Sequence, residues 1–389
     1  MKIREIISEA ISFTTLKHDI EEGLNEIGEM SILDVIKLID THYGHSVSDN
    51  PPKYMVRNFH KGMNENIVKE HLQEIVSTAT VGIQQAYANL CSKLLGIPDN
   101  SGDTLAISID DQTGGAGGSA QRFTGKDDKG YYNTHRIKFY LKGYTNFKEY
   151  DVDMLFDKLL DFGAFEDDPH APSRIVLNDS YQYYINQLFN VKLKEFAVFD
   201  KINSPGYIDV MIHELVHVRQ HMNQPKTSKD PKTGEDKIKN TEYRSKVEPN
   251  PAKFRAATNA LFGKTQTPEE FKIYMSALQE IPAFAHTAAL NIVKSFEFEP
   301  EYGVDYLREQ VKGLIKATRS LTLGMKVDDY NLINIWPLDY YIKTFNHPED
   351  NKLYPVYKKF IKILHQELVN YIQYWVNKIN EYESNKQGK

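Results

Sequence analysis

The stretch that decides the fold runs from Tyr207 to Asn223 and reads YIDVMIHELVHVRQHMN. It contains the pattern His213-Glu214-Leu215-Val216-His217. Residues four apart on a helix project from nearly the same side, so both imidazoles can reach one tetrahedral metal ion. Glu214 is turned about a quarter of the way round, where its carboxylate meets a water rather than the metal. The pattern therefore predicts a zinc site with a general base beside it.

The residues around the motif predict a helix. Ser204 can serve as the N-cap, Pro205 suits the first helical position, and Pro225 follows the last turn. Apolar residues at helical spacing form one stripe, which consists of Ile208, Met211, Leu215, Val218 and Met222. His213 and His217 lie on the opposite side of this helix. They are therefore not part of its core face, and the helix is expected to form the floor of a cleft.

Composition excludes several classes of protein. The chain has 389 residues, which is enough for one large domain or two to three smaller ones. Its single cysteine, Cys91, allows no intramolecular disulfide and no Cys-rich zinc module, and it predicts a reducing compartment. The net charge of -6, without long single-sign blocks, gives no electrostatic case for nucleic-acid binding.

Neither a signal peptide nor a membrane span is expected. The N-terminal stretch MKIREIISEAISF alternates charged and apolar residues at helical spacing and lacks an uninterrupted apolar core. No segment is apolar over a length that would cross a membrane. We therefore expect a cytoplasmic protein without a membrane partner, and the sequence indicates no particular oligomeric state.

The chain is predicted to be α+β and predominantly helical, in three regions. Residues 1-98 form an N-terminal helical region, with helices over Ile3 to Phe13, Ser31 to His42 and Asn64 to Leu95. Residues 99-299 form a core with a small sheet, the motif helix and a later helix that bears Glu280. Residues 300-389 form a C-terminal helical subdomain.

Three segments of the core region are typical of strands: LAISID from Leu105, HRIKFYLKGY from His135 and SRIVLN from Ser173. We expect an edge strand over Thr134 to Leu141, which could pair with an extended peptide. The glycine-rich stretch from Thr113 to Ala120 is predicted to be a loop. Its continuation AQRFTGKD lacks the first glycine and the final Ser/Thr of a phosphate-binding loop, so nucleotide binding is not predicted.

A third metal ligand is needed, and Glu280 is the preferred one. Thr267-Pro268-Glu269-Glu270 is a capping box that starts a helix, which is predicted to run on through Phe296. Small residues on the Glu280 side of that helix permit a close approach to the motif helix, and a buried carboxylate needs a partner. Pro282 is expected to bend the helix near the ligand. The alternatives are His221, His286, Glu242 and Glu248.

His213, Glu214, His217 and the downstream Glu280 together resemble the gluzincin metallopeptidases. The resemblance covers about two helices, and it departs from the metzincin pattern because Gln220 and Asn223 stand where that group has glycine and a third histidine. It implies a zincin-like core in which His213, His217 and Glu280 hold Zn²⁺. It also implies hydrolysis of peptide or protein substrates, with Glu214 as the general base.

Two other functions remain open at this point. The opening MKIREII resembles the starts of some proteins encoded by tailed bacteriophages, which would imply association with a virus particle. The first alternative is thus a structural or adaptor protein that retains a zincin fold without useful turnover. The second is a helical scaffold in which the motif is coincidental. The intact Glu214 favours an enzyme over the first alternative.

Overall fold

The computed structural model describes ten segments of the chain, which are residues 13–42, 50–97, 103–111, 117–127, 130–222, 227–229, 236–238, 267–278, 280–322 and 334–387. These segments are predominantly helical, with one small mixed sheet and two short hairpins. The predicted α+β, mainly helical class is therefore confirmed. Each helix of the described segments is too short or too polar to cross a lipid bilayer.

Four helices open the described chain: α1 (Phe13–Gly28), α2 (Ile32–His42), α3 (Lys53–Val56) and α4 (Glu65–Leu95). The long α4 begins where the Asn64 side chain accepts a hydrogen bond from the Ile67 amide, and it ends at Gly96, whose φ of 62° only glycine adopts without strain. Both helices predicted within these segments are confirmed. The helix predicted over Ile3 to Phe13 lies outside the described residues, apart from Phe13.

The main sheet has the order β1-β3-β2 and contains β1 (Thr104–Asp111), β2 (Gly118–Asp127) and β3 (Gly130–Leu141). β1 runs parallel to β3, whereas β2 runs antiparallel to it. Alternate residues of β3, among them Ile137 and Phe139, are buried, which fits the predicted strand with one covered face. The covered face packs against α4 and against the helix that carries the motif.

The prediction of an edge strand over Thr134 to Leu141 is wrong. This segment belongs to β3, which pairs with β1 on one side and with β2 on the other, so its backbone groups are used within the sheet. Within the main sheet, as far as the described residues show it, the edge strands are β1 and β2. β2 is the edge strand that packs against the motif helix.

The segment between the main sheet and the motif contains helices and a hairpin. Its elements are α5 (Tyr144–Asp161), β4 (Phe165–Asp168), β5 (Ala171–Leu177), α6 (Tyr181–Leu188) and α7 (Ala197–Ile202). The strand predicted from Ser173 is confirmed as part of β5, and a short turn joins β4 to β5. The motif helix, α8 (Pro205–Met222), follows directly and begins at the predicted proline.

Asp151 makes the stability of this region depend on pH. Its buried side chain in α5 accepts hydrogen bonds from the amides of Ala197 and Val198 at the start of α7. Burial raises the pKa of Asp151 to about 6, against the effect of those hydrogen bonds. An unfolded aspartate titrates near 3.9, so the folded chain binds a proton more tightly between these two values.

We therefore expect the free energy of unfolding to fall as the pH rises from about 4 to about 6, by up to about 3 kcal/mol from this group. The measurement is urea unfolding across that range, for the wild type and for Asp151→Asn. The asparagine keeps an acceptor oxygen but does not titrate, so the variant should lose this part of the dependence. Identical pH profiles for the two proteins would contradict the assignment.

Helical structure resumes after the motif and continues through the last described residues. The elements are α9 (Pro268–Met275), α10 (Glu280–Val293), α11 (Val304–Thr322), α12 (Leu338–Phe345) and α13 (Tyr354–Gln387). The capping box at Thr267 is confirmed. The single helix predicted from there through Phe296 is wrong, because the chain breaks into α9 and α10. Pro282 therefore lies in the first turn of α10, where its missing N–H costs little.

Two large groups of buried apolar side chains hold these elements together. The first joins α1, α2, α4, the main sheet and α8. The second joins α9, α10, α12 and α13. α10 contributes to both, with Ala283 and Leu290 in the first and Ile281 and Ile292 in the second. The helix that bears Glu280 is thus fixed between two cores. The predicted division at residues 98/99 and 299/300 stays a prediction.

Candidate metal centre

Two imidazoles and one carboxylate meet where α8 faces α10. The Nε2 atom of His217 lies 3.4 Å from Oε2 of Glu280, and Nε2 of His213 lies 3.8 Å from the same oxygen. One ligand atom from each of the three residues lies within 4.8 Å of the others. The side chains named in the sequence analysis as metal ligands are therefore brought together, although their distance in the sequence gives no direct sign of it.

The spacing of these atoms suits a tetrahedral ion. Zinc binds imidazole nitrogen and carboxylate oxygen at about 2.0–2.2 Å, which places neighbouring ligands of a tetrahedron about 3.3–3.6 Å apart. The two contacts of Glu280 are 3.4 and 3.8 Å, close to this range. Glu280 Oε2 is buried and makes no hydrogen bond of normal geometry with any residue that the structure describes. A buried carboxylate oxygen aimed at two imidazole nitrogens without a hydrogen bond fits a cation at their common centre.

The charge of the Glu280 carboxylate also fits a cation at this site. Its side chain is only 5% exposed, and burial alone raises the pKa of a carboxyl group. The neighbouring His217 and His213 outweigh this effect and hold the pKa of Glu280 well below its usual range. The carboxylate is therefore charged at neutral pH in a site nearly closed to water. Such a charge is costly to bury unless a positive partner is present.

The Nδ1 atom of each imidazole lies near an oxygen atom that can accept a hydrogen bond. Nδ1 of His213 lies 3.5 Å from Oγ1 of Thr287, whose hydroxyl donates to the carbonyl of Ala283. Nδ1 of His217 lies 3.4 Å from Oε1 of Gln220. An acceptor at Nδ1 keeps the proton there and leaves the Nε2 lone pair for a metal. Sequence reasoning missed both roles.

Glu214 lies where α8 meets the start of the edge strand β2. Its side chain is buried, and Gly118 of β2 packs directly against it and against Val210. A Cβ atom at position 118 would lie 2.8 Å from Val210 Cγ1 and 3.1 Å from Glu214 Cγ, so only glycine lets the strand come this close. The end of the glycine-rich stretch thus brings a strand edge to the predicted base. The predicted loop is wrong at Gly118 to Ala120, which belong to β2, and residues 113–116 of the stretch lie outside the described residues.

The alternatives for the third ligand are placed elsewhere or lie outside the described segments. His286 is on α10 but faces α13, with Nδ1 at 3.1 Å from Oε2 of Glu367. His221 is fully buried, and its ring stacks on that of His135 with 6.2 Å between centroids. Burial lowers the pKa of His221 well below its usual range, which keeps the ring neutral. Glu242 and Glu248 lie outside the described residues.

His221 belongs to a buried polar cluster with His135 of β3 and Arg122 of β2. Arg122 of β2 donates from its guanidinium to the backbone carbonyl of His221, at 3.1 Å. This carbonyl is in the last turn of α8, where a cation stabilises the negative end of the helix. The cluster therefore connects β2 to the C-terminal end of the motif helix, and Gly118 packs β2 against the middle of the same helix.

Comparison with protein-family models found no match, and comparisons with curated proteins and with solved structures found none either.

Proposed function

We propose that this chain is a zinc-dependent metallopeptidase with a zincin-like core of sheet, motif helix and Glu280 helix. The single observation that carries the proposal is the meeting of His213, His217 and Glu280 within 4.8 Å, with Glu214 on the same helix as the imidazoles. The resemblance of these residues to the gluzincin pattern gives the reaction class. The order of elements, with a mixed sheet before the motif helix and a glutamate on a later helix, supports the core.

His213, His217 and Glu280 would hold the ion. When bound, zinc supplies Lewis-acid polarisation of the substrate carbonyl and lowers the pKa of a water molecule to about 7. The acceptors behind the imidazoles, Thr287 and Gln220, would fix the tautomer that this coordination needs. Two imidazoles and one carboxylate would leave a coordination position for water or substrate, which is the pattern of a catalytic site rather than a structural one.

Glu214 is the residue for proton transfer. A carboxylate next to the attacking water takes its proton, the oxygen forms a bond to the scissile carbonyl carbon, and the C–N bond breaks. The same carboxyl group then gives the proton to the leaving amine nitrogen. Its position one residue after the first ligand would bring its carboxylate beside that water.

The edge strand β2 would position the substrate. Among the described strands only β3 pairs with β2, so β2 is an edge strand of the described sheet, and an extended peptide would add to its outer edge. Gly118, at the start of β2, lies against Glu214. A peptide added alongside β2 would therefore run past the base. This role replaces the one expected for the segment from Thr134 to Leu141.

The test is metal analysis followed by a cleavage assay. We expect about one zinc per chain in protein purified without chelators, because the donor set completes one tetrahedral site. The zinc-loaded protein should cleave a mixture of synthetic decapeptides of randomised sequence, and it should stop doing so after zinc is removed with a chelator and resume after zinc is returned. Protein without metal would contradict the proposal. Protein that holds zinc but cleaves no peptide would favour a structural role.

A further inference from the structure

A cluster of five aromatic rings lies beside the candidate metal centre. Its members come from α9, α10, α12 and the residues just before α12, and they are Phe271, Tyr274, Phe284, Trp336 and Tyr340. We call this group the aromatic cluster. Its ring centroids lie between 5.2 and 6.4 Å from one another in consecutive contacts, which is the range of favourable aromatic packing.

The cluster is continuous with the metal centre. The ring of Phe284 packs edge-on against the ring of His213, with 5.2 Å between centroids. On its other side Phe284 contacts Trp336, at 6.4 Å. Only one ring therefore separates a proposed zinc ligand from Trp336. An extended peptide advances about 3.3 Å per residue, so Trp336 lies within about four residues of a peptide bond held at the imidazoles.

Trp336 is the part of the aromatic cluster that is exposed to solvent. Its side chain is 45% exposed, whereas Phe284 is 9% exposed. The backbone of Trp336 is held in place, because its carbonyl accepts a hydrogen bond from Nδ2 of Asn291 on α10 at 2.7 Å. Its ring also stacks on Phe271 at an interplanar angle of 19°. An indole that is held by its backbone and by a stacked ring, and that is partly exposed, presents a rigid apolar face to which an apolar ligand can bind.

We propose that the aromatic cluster is a substrate subsite that selects peptides with an aromatic side chain within about four residues of the scissile bond. This inference rests on the proposed function, since it takes the metal centre as the place of cleavage. The occupant is argued from the continuity of the rings with His213. An aromatic side chain is the group that gains most there, because it adds ring-to-ring contact to the burial of its own apolar surface.

The test uses the fluorescence of the tryptophans, of which the chain has two. Trp375 is buried, so Trp336 is the one that a bound peptide can reach. Zinc-loaded Glu214→Gln protein is titrated with acetylated, amidated hexa-alanine and with versions that carry one phenylalanine, moved along the peptide. We expect the best phenylalanine peptide to bind about tenfold or more tightly than hexa-alanine, with a change in emission.

Trp336→Ala in the same background is expected to remove this preference when binding is measured by calorimetry. Tyr302→Ala is the matched control, because Tyr302 is an exposed aromatic residue outside the cluster, and this variant should keep the preference. Unchanged melting temperatures would show that both variants fold. Equal affinity of the Glu214→Gln protein for all peptides, or an undiminished preference after Trp336→Ala is added, would overturn the inference.

The two proposals fail in different ways. A protein that binds zinc and cleaves peptides, but binds alanine and phenylalanine peptides alike, would overturn the subsite and leave the peptidase. A protein without zinc or cleavage that keeps a Trp336-dependent preference would overturn the peptidase and support the aromatic surface as a peptide-binding site.

Discussion

Replacing Glu214 with glutamine should lower kcat for peptide hydrolysis by about two to four orders of magnitude and leave the zinc content unchanged. Glutamine has nearly the shape of glutamate, so it should preserve the packing against Gly118. Its amide cannot take a proton from water, and it therefore removes the general base alone. The measurement is the steady-state rate on the best peptide from the cleavage assay, together with metal analysis of the same sample.

The control for this variant is Glu301→Gln, which makes the same change at an exposed glutamate in the short turn before α11. It should keep the wild-type rate. A loss of zinc in Glu214→Gln would mean that Glu214 helps to hold the metal. A rate within about threefold of the wild type would mean that another group activates the water, because a positioned base contributes at least about a hundredfold.

The motif helix could be predicted closely, because its signals are local. The spacing of His213 and His217, the proline at position 205 and the apolar stripe all depend on one helical repeat. The stripe residues Ile208, Met211, Leu215 and Val218 are buried, as the repeat requires. Gln220 lies three residues after His217 on the same helix. Its contact with Nδ1 of His217 could therefore have been predicted from the sequence.

The sheet order could not be predicted in the same way. Alternating burial in β3 indicates that one face is covered, but it does not indicate which strands lie on either side. Only the parallel pairing with β1, across about thirty residues of chain, makes β3 the central strand. The contact of Thr287 with His213 likewise depends on how closely α8 and α10 approach each other. Such facts depend on packing between distant segments.

The break between α9 and α10 could be predicted only in part. The helical repeat continues across the break, so periodicity alone predicts one helix. Pro282, however, is acceptable in a first turn and costly in the middle of a helix, which was a sign that a new helix begins near Glu280. The break matters for the site, because it lets α10 start at the ligand itself.

The absence of a nucleic-acid or membrane partner, and the cytoplasmic location, stay predictions.

Replacing Glu280 with alanine should weaken zinc binding by more than about a hundredfold, because removal of an outer partner of a ligand already costs about 10- to 100-fold. The variant loses the only carboxylate among the three grouped ligand candidates of the described residues. It also leaves His213 and His217 without the charge that compensates a dication. The measurement is competition for zinc against a chromophoric chelator at pH 7, followed by the cleavage assay.

Glu299→Ala is the matched control, since it removes an exposed carboxylate shortly after α10, and it should bind zinc as the wild type does. Glu280→Gln separates charge from volume, and it should also bind weakly because an amide oxygen carries no net charge. Thermal unfolding gives a second readout: zinc at 100 times the wild-type Kd stabilises a folded protein by about 2.7 kcal/mol, and this gain should be kept in the control but fall to about 0.4 kcal/mol or less in both Glu280 variants. Full zinc affinity in Glu280→Ala would assign the third ligand to another residue and would remove the observation on which the proposed peptidase rests.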